Sequence, residues 1–159
     1  SFKMNEYNGS YVFNVTFQVA EEAKKLKLPK LRKDNNDNHV PTGEFTDGGF
    51  VVGKEYRTDK GVWLTPNPNE GEEWKNKRYK EFFEKMGVSF SKNESGVVQL
   101  GIVEDDDVFG LPCLITLKET SFTNKDGETK KALQVSEIST WEGGTRVTKE
   151  EFDADDLPF

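Results

Sequence analysis

Tyr11-Val12-Phe13-Asn14-Val15-Thr16-Phe17-Gln18-Val19 decides the fold class. Tyr11, Phe13, Val15, Phe17 and Val19 occupy every second position, with mostly polar residues between them. A period of two carried by aromatic and β-branched side chains marks a strand with one buried face. Gly9, just upstream, supplies a turn. The alternation returns at Cys113, Ile115 and Leu117, and again at Leu133 and Val135 after Asn124-Lys125-Asp126-Gly127. That pattern predicts a hairpin closed by an Asp-Gly turn. Ile138 is out of phase with Leu133 and Val135, which predicts a bulge.

Between these ends, Phe50-Val51-Val52-Gly53-Lys54-Glu55-Tyr56-Arg57 and Val62-Trp63-Leu64-Thr65 read as two strands joined by Thr58-Asp59-Lys60-Gly61. A short strand is expected at 97–103. Asn69 with Glu72 three residues on has capping-box spacing. Trp74, Arg78, Phe82 and Met86 then fall four apart beside Tyr79 and Phe83, and Gly87 ends the pattern as a C-terminal glycine does. The expectation is one helix with an aromatic core face that includes Trp74, Phe82 and Phe83. Residues 20–48 carry lysines, an Asp/Asn cluster, Pro41 and several glycines, and read as a long basic and polar loop.

Strand, long loop, two strands, helix and two strands is the element order of the OB-fold, a five-stranded Greek-key barrel that binds oligonucleotides on one face. The expected class is therefore mainly β, with the helix between strands three and four. The same elements paired differently would give an α+β sandwich. Residues 1–141 form the expected barrel domain and 142–159 a flexible acidic tail. A chain of 159 residues can bury such a core, although only 33% of it is apolar, with twelve Phe carrying much of that share. Cys113 has no cysteine partner, which fits a reducing compartment. No stretch has the length of a membrane span.

Charge sharpens the reading. Removing the five tail carboxylates from a net charge of −7 leaves −2 over the rest, so any nucleic-acid contact must use local basic patches. Lys24, Lys25, Lys27, Lys30, Arg32 and Lys33 put six bases into ten residues without an acid. One reading is a phosphate path; the other is a solvated, partly helical segment packed through Leu26, Leu28 and Leu31. Single strands also need flat side chains for base stacking. Tyr56, with Lys54 and Arg57 beside it, and Trp63, after Lys60, are the aromatic candidates. Core and platform roles stay open for both, and Phe13 and Phe17 are expected in the core.

Four stretches carry a family resemblance. They are Gly53-Lys54-Glu55-Tyr56, Trp63-Leu64, the Lys80-to-Val88 helix end, and Phe109-Gly110-Leu111-Pro112-Cys113-Leu114-Ile115-Thr116-Leu117. With the acidic ending, they resemble phage single-stranded DNA-binding proteins. That resemblance implies sequence-independent binding of single-stranded DNA in replication, recombination or repair, in the cytoplasm of a bacterial host, with a homo-oligomer compatible. It also implies a tip, here Asp153, Asp155, Asp156, Leu157, Pro158 and Phe159, that recruits replication or recombination proteins and competes with DNA.

No cofactor or metal is expected. His39 lies alone in a polar loop, and Gly53-Lys54-Glu55 lacks the upstream glycine and hydroxyl of a phosphate loop. Glu104-Asp105-Asp106-Asp107 reads as a solvated turn. The expectation is a protein without catalysis. Two other readings stand beside DNA binding: a protein–protein adaptor, and a nucleic-acid mimic that blocks a host protein.

Overall fold

Alternation at Tyr11–Val19 produces strand β2 (Ser10–Gln18), in which Phe13, Val15 and Phe17 are buried. Strand β1 (Phe2–Tyr7) pairs antiparallel with it, from Phe2 opposite Val15 to Tyr7 opposite Ser10. Asn8 and Gly9, at φ +48° and +75°, make the two-residue turn. An Asn-Gly pair is well suited to a turn that needs two positive φ values.

The structure, a computed structural model, describes residues 2–155, with side chains through 152. These residues are mainly β and fall into two compact units. The first comprises 2–15, 60–116 and 137–155; the second comprises 16–59 and 117–136. In the first unit, β6 (Val62–Leu64) pairs with β2 at Tyr11–Phe13, and α1 (Glu73–Met86) buries Tyr79, Phe83 and Met86. The Phe83 ring meets those of Phe13 and Tyr79 edge-on, at 5.8 and 4.9 Å. Phe2 adds its ring at 5.5 Å from Phe13. In the second unit, β5 (Glu55–Arg57) pairs with β2 at Thr16–Gln18, and β3 (Lys27–Lys33) pairs with β4 (His39–Asp47). Strands β7 (Cys113–Thr123) and β8 (Thr129–Thr140) form the predicted hairpin through the 124–127 turn, where Gly127 has φ +79°.

Several expectations are corrected. Eight strands lie in three small sheets, and none closes among the described residues, where a five-stranded barrel was expected. The supposed loop at 20–48 is a 3-10 turn at Glu21–Lys25 followed by the β3–β4 hairpin. Its prolines and glycines hid the strands. A two-residue excess in β4 at 42–44, with Gly43 at φ +86°, breaks the period between Pro29 and Leu31. Residues 50–57 contribute only three strand residues, because a 3-10 turn occupies Gly48–Val51. The short strands β5 and β6 each pair with β2 rather than with one another.

Residues 97–103 make no strand. Gly101 C=O and Val103 N–H are taken by the Tyr79 hydroxyl, at 2.8 and 2.9 Å, instead of by a ladder. Helix α1 starts at Glu73, four residues after Asn69, with the Asn69 N–H donating to the Glu72 carboxylate at 3.2 Å. Its buried face is Tyr79, Phe83 and Met86; Trp74 is 57% exposed and Phe82 half-buried, so neither anchors the core as expected. The C-terminal end is as predicted. Gly87 sits at φ +101°, and Gly87 and Val88 N–H donate to Glu84 and Phe83 C=O. The odd phase of Ile138 coincides with the passage of β8 between units, since Val135 is buried in the second and Ile138 in the first. A stretch expected in the tail is helix α3 (Lys149–Asp155), and a one-turn helix α2 spans Asp105–Val108.

Burial pushes the Cys113 thiol up to about 11 from 9. At pH 8 the thiolate fraction should then be roughly 100-fold below that of an ordinary cysteine. Iodoacetamide labelling of the native chain is expected to be slower than that of the urea-unfolded chain by about that factor. Equal rates would contradict the burial.

Candidate nucleic-acid interface

Strand β3 has four bases in seven residues, and all four side chains are exposed. Lys24 and Lys25 precede it on the 3-10 turn, also exposed. Lys24 pairs with Glu21, Lys30 reaches Glu44 at 3.4 Å, and Lys33 reaches Asp37 at 3.8 Å. Such exposed pairs are weak and yield readily to a phosphate. Among the described residues, Lys25, Lys27 and Arg32 form no ion pair. The expected basic run is thus a cationic strand rather than a loop.

Register separates the two faces of this hairpin. Leu28, Thr46 and Val40 lie on one face and are half-buried. On the other, Lys27 stands opposite Asp47, Pro29 opposite Phe45, Leu31 opposite Pro41 and Lys33 opposite His39. Every residue of that face except His39 is exposed. The far end of the hairpin is tied down. The Asp34 carboxylate takes the N–H groups of Asn36 and Asn38 at 2.8 and 2.9 Å, which holds its pKa below the usual range. Lys131 of β8 donates to Asn36 C=O at 3.1 Å and to the Asn38 side chain. The ring of His39 meets Glu119 of β7, whose pKa is lowered chiefly by that contact, and His39 N–H donates to the same carboxylate at 3.1 Å.

The second unit also holds Lys54, Tyr56 and Arg57. Lys54 is exposed and lies over the Phe50 ring at 5.8 Å; Arg57 is exposed on β5. Tyr56 stands opposite Phe17 on the core side of that strand pair, half-buried, and desolvation raises its hydroxyl pKa. That position suits packing better than base stacking. Lys60 and Trp63 belong to the first unit. Trp63 is half-buried on β6, with Tyr7 edge-on at 6.5 Å and the Lys75 ammonium 5.8 Å from its ring.

Sequence reasoning did not favour three exposed aromatics of the second unit: Phe45 (65% exposed), Phe50 (54%) and Phe122 (49%). The only available signal for Phe45 was its place in β4, which Pro41 and Gly43 concealed.

The C-terminal segment is docked at its root. Arg146 donates to the C=O groups of Asp106 and Phe109 at 2.6 and 3.0 Å, and Val147 N–H donates to Gly110 C=O at 2.9 Å. Gly110, at φ +71°, admits this strap, since a Cβ there would meet the Val147 carbonyl. Lys149 reaches Asp106 at 2.5 Å and Asp105 at 3.4 Å, which lowers the pKa of Asp106 and raises that of Lys149. A shallow cavity of about 290 Å³ opens here, lined by Asp106, Phe109 and 146–149. Thr148 and Glu151 form a reciprocal capping box for α3, and Phe152 sets its ring edge-on to Phe109 at 5.6 Å. Glu104 and Asp107 cap α2 in the same manner. The acidic run read as a solvated turn is therefore a capped helix and an ion-pair partner. Asp153 and Asp155 fall in the α3 backbone, while Asp156, Leu157, Pro158 and Phe159 lie outside the described residues.

No described helix is long and apolar enough to cross a membrane. No protein-family model, curated protein or solved structure matches the chain.

Proposed function

We propose that the chain binds single-stranded DNA with little sequence preference, without catalysis, in phage DNA replication, recombination or repair. The observation that carries this reading is the row of cations on the 3-10 turn and β3, three of them without an ion-pair partner among the described residues. A single strand presents a phosphate at every nucleotide, and cations spaced along one extended strand match such a ligand. The resemblance to phage single-stranded DNA-binding proteins supports the same reading, although the described strands do not close into the barrel that it implies.

The acidic tip enters as a recruiter of partner proteins and a competitor of DNA. A tethered polyanion acts at high effective concentration on any cationic path it can reach, on its own chain or a neighbour's. Because Phe152 is docked, a chain ending at Phe152 removes the last three aspartates and leaves the anchor whole. That truncation is expected to tighten binding of labelled oligo-dT at low salt by about 3- to 10-fold, with the gain shrinking as salt rises. Equal affinities at low salt would remove the competition and leave recruitment standing. Failure of both chains to bind oligo-dT would instead favour the adaptor or nucleic-acid-mimic reading.

A further inference from the structure

The β3–β4 hairpin carries an exposed apolar strip that its cations do not explain. Pro29 opposite Phe45 and Leu31 opposite Pro41 form two adjacent cross-strand pairs on its outward face. Phe45 and Leu31 are 65% and 42% exposed. A solvated hairpin gains nothing from apolar side chains on that face, so the strip calls for an occupant. Lys27 and Lys33 close the same face at its two ends, and Lys25 lies just beyond Lys27. Asp47, opposite Lys27, is engaged locally, its carboxylate accepting from Gly49 N–H at 2.9 Å.

From this juxtaposition we infer that Phe45 is a base-stacking platform, with Pro29 beside it and Lys27 and Lys33 of the same face holding the flanking phosphates. The inference rests on the reading of the chain as a single-strand binder and assigns the site its aromatic element. A flat ring among rigid proline and leucine side chains offers a π face that any base can cover. Lys27 is two residues from Pro29, roughly 6.6 Å along the strand, close enough to take a phosphate next to a base stacked on Phe45. A second copy of the chain is a poorer occupant. Two such faces would bring Lys25, Lys27 and Lys33 of each copy together, like charge against like.

The test compares Phe45→Ala and Phe45→Trp with the unaltered chain, on labelled oligo-dT and on an abasic oligonucleotide of the same length. Phe45→Ala is expected to weaken oligo-dT binding by about 5- to 150-fold and to leave abasic binding within about 2-fold. Phe45→Trp should keep the oligo-dT affinity. Its added emission, measured against the three native tryptophans, should be quenched by oligo-dT and not by the abasic strand. Equal losses on both ligands, or no loss on either while β3 charge variants still lose binding, would overturn the stacking role and leave the binding function intact. Loss of self-association in Phe45→Ala by sedimentation equilibrium, with oligo-dT affinity unchanged, would overturn it in favour of a contact between copies. Absence of oligo-dT binding by the unaltered chain would overturn both readings together.

Discussion

Replacing Lys25, Lys27, Lys30 and Arg32 together with glutamine is expected to lower oligo-dT affinity about 1000-fold near 50 mM salt. The size follows from counterion release. Each phosphate neutralised on a single strand adds about 0.7 to the slope of log affinity against log salt, so four lost contacts flatten that slope by roughly 3. The gap between variant and parent should therefore close as salt rises, and a titration at several salt concentrations reads both quantities. Glutamine keeps much of each side chain's length and removes only its charge, and all four positions are exposed, so the fold should be unaffected. A control removes charge elsewhere: Lys77→Gln with Lys85→Gln on the exposed side of α1. Similar losses in the control and in the β3 variant would mean that affinity follows net charge alone, and the interface would have to be abandoned.

What could be read from sequence was whatever local chemistry dictated. The Tyr11–Val19 alternation, the Asn124–Gly127 turn and the Gly87 cap depend on neighbouring residues, and the structure has each where expected. Pairing partners were not legible. Strands β5 and β6, three residues each, both pair with β2 although a turn-like segment links them. Nothing in residues 55–64 announces that, because partner choice is settled by burial over the whole chain.

The basic run illustrates a second limit. Six cations in ten residues signal ligand chemistry, yet the segment reads as a loop because Pro29, Pro41 and Gly43 break the strand pattern. Pro29 and Pro41 are tolerated because, among the described residues, β3 and β4 have no other strand partner. Stacking residues failed to separate from core residues for a related reason. Phe17, Tyr56 and Phe45 look alike as letters, and only register puts Tyr56 opposite buried Phe17 and Phe45 on the open face. The anchored root of the C-terminal segment was also hidden. Its Thr148–Glu151 capping box is a sequence signal, but the strong negative charge around it invited a reading as tail.

The first unit should depend most on Tyr79 and Phe83, both fully buried. Phe83→Ala removes a ring packed against Phe13 and Tyr79, and is expected to cost about 3–5 kcal/mol, much of the margin of an ordinary domain. Tyr79→Phe keeps the ring and deletes an oxygen. It leaves Gly101 C=O without its donor and the buried Val103 N–H without its acceptor, at an expected cost of about 1–3 kcal/mol. The two substitutions differ further in alkali. Burial, with a smaller contribution from Asp107, pushes the Tyr79 hydroxyl up to about 12, although the Val103 N–H pulls the other way. Because the folded-state pKa lies above the unfolded value of about 10, the folded chain holds this proton more tightly. The resulting stabilisation is complete below pH 10 and is lost as pH rises towards 12, at most about 2–3 kcal/mol. Urea unfolding at pH 8 and pH 11 should show the parent losing more stability than Tyr79→Phe over that interval. Tyr56, also raised by burial, is present in both chains and cancels in the difference. Parallel losses in the two chains would mean that the Tyr79 hydroxyl is not held between Gly101 and Val103, and that residues 97–103 meet their backbone hydrogen bonds in some other way.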